Sequence, residues 1–214
     1  MKPGGAPSVR ELLFAYANGW FPMADERGRL RWFSPDPRGI FDLNQMAAPR
    51  SLDRKLRNSP WTFALDSDFE AVIRGCADRP ETWIDSTILE AYGQLHEAGF
   101  AHSLEIRNGG DLVGGLYGVQ LGGAFFGESM FHRETDASKA ALVLLGGLLR
   151  SGGFLLLDTQ WTTPHLEKFG AVSVGKNEYL IQLQKALQTP ARWGHPHFPK
   201  SSGRVSDLYN QTKL

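Results

Sequence analysis

A chain of 214 residues, 42% hydrophobic and 21% charged, can bury a sizeable core and has the composition of a globular protein of one large or two small domains. Its 23 Lys+Arg balance 23 Asp+Glu, so a polyanion must be met by a local patch and not by the overall field. One cysteine, Cys76, excludes an internal disulfide, and the apolar run 140–149 is too short to span a bilayer; with no apolar signal core at the start, a cytoplasmic protein is expected.

Ser8 with Glu11 is a capping box, Leu12, Leu13 and Tyr16 follow on one helical face, and Asn18-Gly19 supplies the stop. Residues 20–38, broken by Pro22, Pro35 and Pro37, read as turns without regular structure. Residues 50–58 suit a short basic helix. Ser67 with Glu70 is a second capping box, ahead of the apolar face Phe69, Val72, Ile73 and Cys76. Asp85 is the N-cap of a third helix reaching Gly99, with Ile88, Tyr92 and Leu95 on one side.

From residue 102 to 131, three strands joined at Asn108-Gly109-Gly110 and Gly122-Gly123 predict an antiparallel meander. A buried helix over 137–150 ends at Gly152-Gly153, and 154–158 is a short apolar strand. Residues 163–169 form a short helix, and Asn177 caps a last one to Leu187. The Pro/Ser/Gly-rich tail from Thr189 is expected to hug the surface or fray. The fold class is therefore α/β (α+β). A small helical or irregular N-terminal domain (1–60) precedes a domain with a mostly antiparallel sheet (61–188) and a C-terminal tail (189–214). That order of elements is GNAT-like, that is acyltransferase-like, but order alone names no reaction.

Four segments can carry chemistry. Glu128, at a strand end facing the helix that opens at Asp136, can orient an amine or cation, or merely cap or pair with Lys139. Asp158 and Gln160 end an apolar strand and share one face, as a ligand site or as groups satisfied by backbone. Gly114, Gly115 and Gly118 inside a strand mark a bulge or a close backbone approach to a ligand. Arg50, Arg54 and Arg57, at i, i+4 and i+7, make a cationic ridge suited to phosphates, or a solvated face. His102 reads as a hydrogen-bonded strand histidine. The clustered His195 and His197 lack acidic or thiol partners, so no metal is expected.

In order along the chain stand Gly19-Trp20-Phe21-Pro22-Met23, Trp32-Phe33-Ser34-Pro35-Asp36-Pro37-Arg38, Thr82-Trp83-Ile84 and Ala91-Tyr92. Leu112 to Val119, Gly127 to Phe131, Ala137-Ser138-Lys139 and Asp158-Thr159-Gln160 follow. This set resembles the bacterial leucyl/phenylalanyl-tRNA–protein transferases across about residues 11–182. The resemblance implies a monomeric, cofactor-free enzyme with a GNAT-like domain. Such enzymes move Leu, Phe or, less well, Met from aminoacyl-tRNA onto proteins beginning with Arg or Lys, marking them for N-degron proteolysis.

Carried over by position, Asp158 and Gln160 match catalytic positions and Glu128 the acidic site residue. Leu116, Phe125, Leu142, Leu145 and Leu157 match the aminoacyl side-chain pocket. Trp83 and Tyr92 match contacts to the 3′-terminal adenosine, and Arg50, Arg54 and Arg57 match the tRNA-binding cluster. Met23 stands where some members of the family carry Trp, and Leu116 and Leu145 replace Met and Phe found in others, which bears on Leu against Phe preference.

An aminoacyl ester is already activated, and an acceptor α-amine with pKa near ~8 has a useful neutral fraction, so positioning matters more than a strong base. Gln160, a very poor base, is expected to orient the amine. Asp158 is expected to polarise that network or relay the proton, and Glu128 to pair with the acceptor's positive charge. An acyl-CoA N-acyltransferase or a non-catalytic RNA-binding module are the alternatives. The first lacks a glycine-rich pyrophosphate turn in 131–137, and the second has no use for Asp158 and Gln160.

Overall fold

The computed structural model describes residues 6–25, 29–194 and 202–212. The capping box at Ser8 forms: its hydroxyl accepts from the Glu11 amide, and the Glu11 carboxylate accepts from the Ser8 amide, opening α1 (Val9–Ala17). The segment read as turns instead forms an antiparallel ribbon, β1 (Phe21–Ala24) with β2 (Leu30–Phe33). Pro22 is tolerated because both strands of this ribbon are edges, so a missing N–H can face outward.

The chain then enters the main sheet through β3 (Arg38–Phe41). There follow α2 (Arg50–Arg57), β4 (Thr62–Leu65), α3 (Phe69–Ala77), α4 (Ser86–Glu97), and the meander of β5 (Ala101–Asn108), β6 (Asp111–Leu121) and β7 (Ala124–His132). The remainder is α5 (Ala137–Ser151), β8 (Leu156–Gln160), α6 (Pro164–Glu167), β9 (Ala171–Val174), α7 (Lys176–Leu187), β10 (Ser202–Arg204) and α8 (Val205–Thr212). Eight strands are ordered β10-β4-β5-β6-β7-β8-β3-β9, and only β7–β8 is parallel. A parallel pair needs a crossover, and α5 supplies it. The fold is mixed α/β with a mostly antiparallel sheet, as expected.

Helices cover both faces. α2, α5 and α8 bury Leu104, Leu116, Phe125 and Leu157 on one side; α1, α3, α4 and α7 bury Tyr117, Val119, Phe126 and Leu156 on the other. Among the described residues no helix is long and apolar enough to cross a membrane.

Several local expectations shift. Asp68, not Ser67, caps α3, because its side chain accepts from the Ala71 amide while the Ser67 amide goes to Glu105. Gly175, not Asn177, precedes α7, and β8 lies two residues later than expected. The tail does not fray over 202–212: β10 pairs with β4, and Val205, Leu208 and Tyr209 of α8 are buried in the core. β3, from the segment assigned to the N-terminal domain, is an interior strand. The strand glycines serve packing within the chain: a Cβ on Gly114 would lie 2.6 Å from the Ala137 Cβ at the start of α5. Gly118 borders a bulge in the β6–β7 register.

Candidate active site

β7 and β8 pair at Ala124–Leu156, Phe125–Leu157 and Phe126–Asp158 and no further. Beyond that point β7 stays with β6 and β8 with β3, so a cavity of about 150 Å³ opens in the split. Its lining combines apolar side chains, Leu116, Leu142, Leu145, Leu157 and Leu166, with the polar Glu128 and Gln160.

Glu128 owes its direction to the bulge. Tyr117 pairs with Ser129 and Gly118 with Gly127, leaving Glu128 as the extra residue on β7. Its carboxylate accepts from the Tyr16 hydroxyl (2.7 Å), the Tyr92 hydroxyl (2.9 Å) and the Gln160 side-chain amide (3.3 Å). The two tyrosine hydroxyls also touch each other. Burial pushes the Glu128 carboxyl up to about 7, against the opposing pull of the tyrosine hydrogen bonds. Burial and the neighbouring carboxylate push both phenols well above their usual range, so they remain donors.

Asp158 sits in a separate, sealed arrangement. Arg38 Nε and one Nη donate to its two oxygens at 2.9 and 2.7 Å, and neither side chain is exposed to solvent. Tyr179 donates to Asp158 at 2.6 Å, and the Gln160 backbone N–H donates at 2.8 Å. Arg38 also donates to the Gly19 carbonyl and lies over the rings of Phe21 and Tyr179. Both Asp158 oxygens are thus engaged by Arg38, Tyr179 and the Gln160 backbone, which ties the carboxylate to the turn from which Gln160 projects.

That turn is tight. Gln160 has φ 59°, in the left-handed region that L side chains rarely adopt. Opposite it, a Cβ on Gly39 would lie 2.5 Å from the Trp161 carbonyl carbon, so only glycine lets β3 approach here.

The structure brings Leu116, Leu142, Leu145, Leu157, Glu128 and Gln160 to one cavity. Phe125 is not in its lining; fully buried, it packs on Trp193 and Phe154 behind it. Tyr92 is also fully buried, with its hydroxyl on Glu128, so it supports the site from within. Trp83 is half-buried against the α1–α4 side of the core, outside the cavity lining, and its carbonyl accepts from the Ala24 amide.

Arg50, Arg54 and Arg57 are exposed on α2; Arg57 is paired with Asp53 at 2.8 Å. Lys55, on the same helix, reaches the Thr135 carbonyl and Asp136 at the start of α5. His102 contacts Asp66 at 2.8 Å, in keeping with a strand histidine held in place. His195 and His197 lie outside the described residues, among which no group of three His, Cys, Asp or Glu is placed to hold a metal.

Sequence reasoning did not single out Arg38, Tyr16 or Tyr179. Arg38 stood only at the end of the Pro-rich motif, and Tyr16 only on a helix face. A broader groove of about 850 Å³ between α3 and α4, edged by Asp66, Asp68, Glu70 and Glu90, shares no residue with the cavity.

A family model described as leucyl/phenylalanyl-tRNA protein transferase matches residues 40–184, and the model of that family's N-terminal domain matches residues 5–36. A leucyl/phenylalanyl-tRNA–protein transferase of Cereibacter sphaeroides is 48% identical over 209 residues, covering 97% of this chain and 98% of its own. That of Maricaulis maris is 53% identical over 185 residues, covering 84% and 86%. That of Akkermansia muciniphila is 53% identical over 182 residues, covering 83% and 94%. The chain belongs to the leucyl/phenylalanyl-tRNA–protein transferase family.

Proposed function

We propose that this chain moves Leu or Phe, and Met less well, from aminoacyl-tRNA to the α-amine of proteins beginning with Arg or Lys, marking them for proteolysis. On this reading it works in the cytoplasm as a monomer without a cofactor. The observation that carries the reading is a cavity lined by five leucines together with Glu128 and Gln160.

A cavity of about 150 Å³ suffices for a benzene ring, so this one, with its leucine side chains, accommodates a leucyl or phenylalanyl side chain. Burying such a side chain contributes about 1.5–3 kcal/mol, and a charged one is rejected by desolvation. Glu128 meets the acceptor's α-ammonium. A carboxyl titrating near 7 is matched to taking a proton from that group at neutral pH. Gln160 donates its amide N–H to Glu128, which turns its carbonyl oxygen toward an incoming amine. Arg38 and Asp158 hold that geometry without touching the substrate. Exposed Arg50 and Arg54 supply cations for the RNA.

The test is transfer of radiolabelled Leu or Phe from charged tRNA to peptides that differ only in their first residue. Transfer to Arg and Lys peptides and none to Asp peptides is expected. Equal transfer to all three overturns the acceptor assignment, and no transfer to any overturns the activity.

A further inference from the structure

Five polar residues line the cavity: Tyr117, Glu128, Ser129, Thr159 and Gln160. Glu128 and Gln160 bond to one another, the Ser129 hydroxyl accepts from Arg79 at 2.9 Å, and Thr159 donates to the Trp161 carbonyl at 3.4 Å. Tyr117 is different. It is fully buried, and its hydroxyl has no hydrogen-bond partner among the described residues.

An unpartnered buried hydroxyl is destabilising, and native structures contain few of them. The ring is fixed in place, edge-on to Tyr92 at 5.6 Å and to Phe69 at 5.8 Å between centroids. Burial and the nearby carboxylate keep the phenol protonated, so it is available as a donor. The site's other needs are already met. Glu128 can accept from an ammonium, and the Tyr16 and Tyr92 hydroxyls and one N–H of the Gln160 amide are directed at Glu128. What acyl transfer still requires is a donor for the oxygen on which negative charge develops.

We propose that the Tyr117 hydroxyl is that donor, receiving the carbonyl oxygen of the aminoacyl ester as it becomes an oxyanion. The proposal rests on the transferase reading above. The acceptor nitrogen's lone pair forms the C–N bond while the carbonyl π pair moves onto oxygen. The O–H···O contact from Tyr117 shortens without proton transfer. The pair then returns, the bond to the ribose oxygen breaks, and that oxygen leaves with its electrons. It gains one proton for the one lost by the nitrogen, so the tyrosine ends the step unchanged.

The experiment is Tyr117→Phe, assayed with Phe-tRNA and an Arg-initiated peptide, with thermal melting in parallel. Loss of an oxyanion donor lowers kcat by about 10²-fold, with KM for Phe-tRNA unchanged. Because an apolar edge replaces an unpartnered hydroxyl, Tm is expected to hold or rise. Wild-type kcat in the variant overturns the role of Tyr117 alone. A fall in kcat accompanied by a fall in Tm and a rise in KM also overturns it, in favour of packing. No transfer by the wild type in the same assay overturns the transferase reading itself.

Discussion

Arg38 and Asp158, 120 residues apart, form a two-pronged ion pair with neither side chain exposed, and the same carboxylate holds the backbone N–H of Gln160. Breaking such a pair by removing one partner strands a buried charge, which costs about 3–5 kcal/mol, whereas removing both costs less than the sum. Arg38→Met and Asp158→Leu are each expected to lower stability strongly in urea titrations, with the double variant well above the additive value. Each single variant that still folds is expected to lose kcat more than affinity for aminoacyl-tRNA, because Gln160 loses its aim. Additive losses in the double-mutant cycle would show that the pair does not act as a unit.

Glu128 makes both stability and rate depend on pH. Its carboxyl titrates near 7 in the folded protein, against the ordinary 4.5 expected when unfolded. Between those values the folded state binds the more protons, so stability falls as pH rises through that window, and the loss is complete above 7. In Glu128→Gln this contribution disappears. The variant's Tm relative to wild type is expected to climb between pH 4.5 and 7 and level off beyond, as melts across that range would record. Wild-type kcat/KM for the acceptor peptide is expected to rise with a midpoint near 7. The variant keeps only the acceptor amine's own titration near ~8. A wild-type rate that is flat from pH 6 to 7.5 rules out Glu128 as the proton acceptor.

Leu145 and Leu142 come from α5 and line the cavity. Leu145→Phe takes up space that a phenylalanyl ring needs more than a leucyl group does. Steric differences of this size are worth about 1–3 kcal/mol, so kcat/KM for Phe-tRNA is expected to fall at least roughly tenfold relative to Leu-tRNA. Competition between the two charged tRNAs in one reaction reads the ratio directly. An unchanged ratio removes Leu145 from the selectivity.

Where the determinants were local, the sequence showed them: the Ser8 capping box, the Asp85 cap and the meander around Gly109 and Gly122 all form. Glu128 and Gln160 were legible as polar ends of apolar strands, although nothing local announced the bulge that aims the first or the left-handed φ of the second. The Arg38–Asp158 pair left no periodic signal, because it joins the end of a Pro-rich turn to a strand far along the chain. Tail composition concealed a signal that was present: Val205, Leu208, Tyr209 and Thr212 follow i, i+3, i+4, i+7 spacing, and all four are buried. The α3 cap falls on Asp68 and not on Ser67 because the buried Glu105 carboxylate accepts from both the Ser67 and Asp68 amides and fixes where the helix opens, a tertiary contact that local propensity does not contain.

The arginines of α2 should not contribute equally to RNA binding. Leu52 and Leu56 fix the helix in the core, leaving Arg50, Arg54 and Arg57 exposed. The Arg57 guanidinium, however, is held by Asp53 through contacts of 2.8 to 3.2 Å, and that carboxylate offsets its charge. Arg50→Ala and Arg54→Ala are therefore expected to weaken binding of Phe-tRNA more than Arg57→Ala does. Each lost phosphate contact lowers the slope of log K against log salt by roughly 0.7–0.9. Anisotropy titrations of labelled tRNA at several KCl concentrations measure that slope, and exposed side chains of this kind leave Tm nearly unchanged. If Arg54→Ala keeps the wild-type slope, α2 is a solvated face and the RNA is held elsewhere.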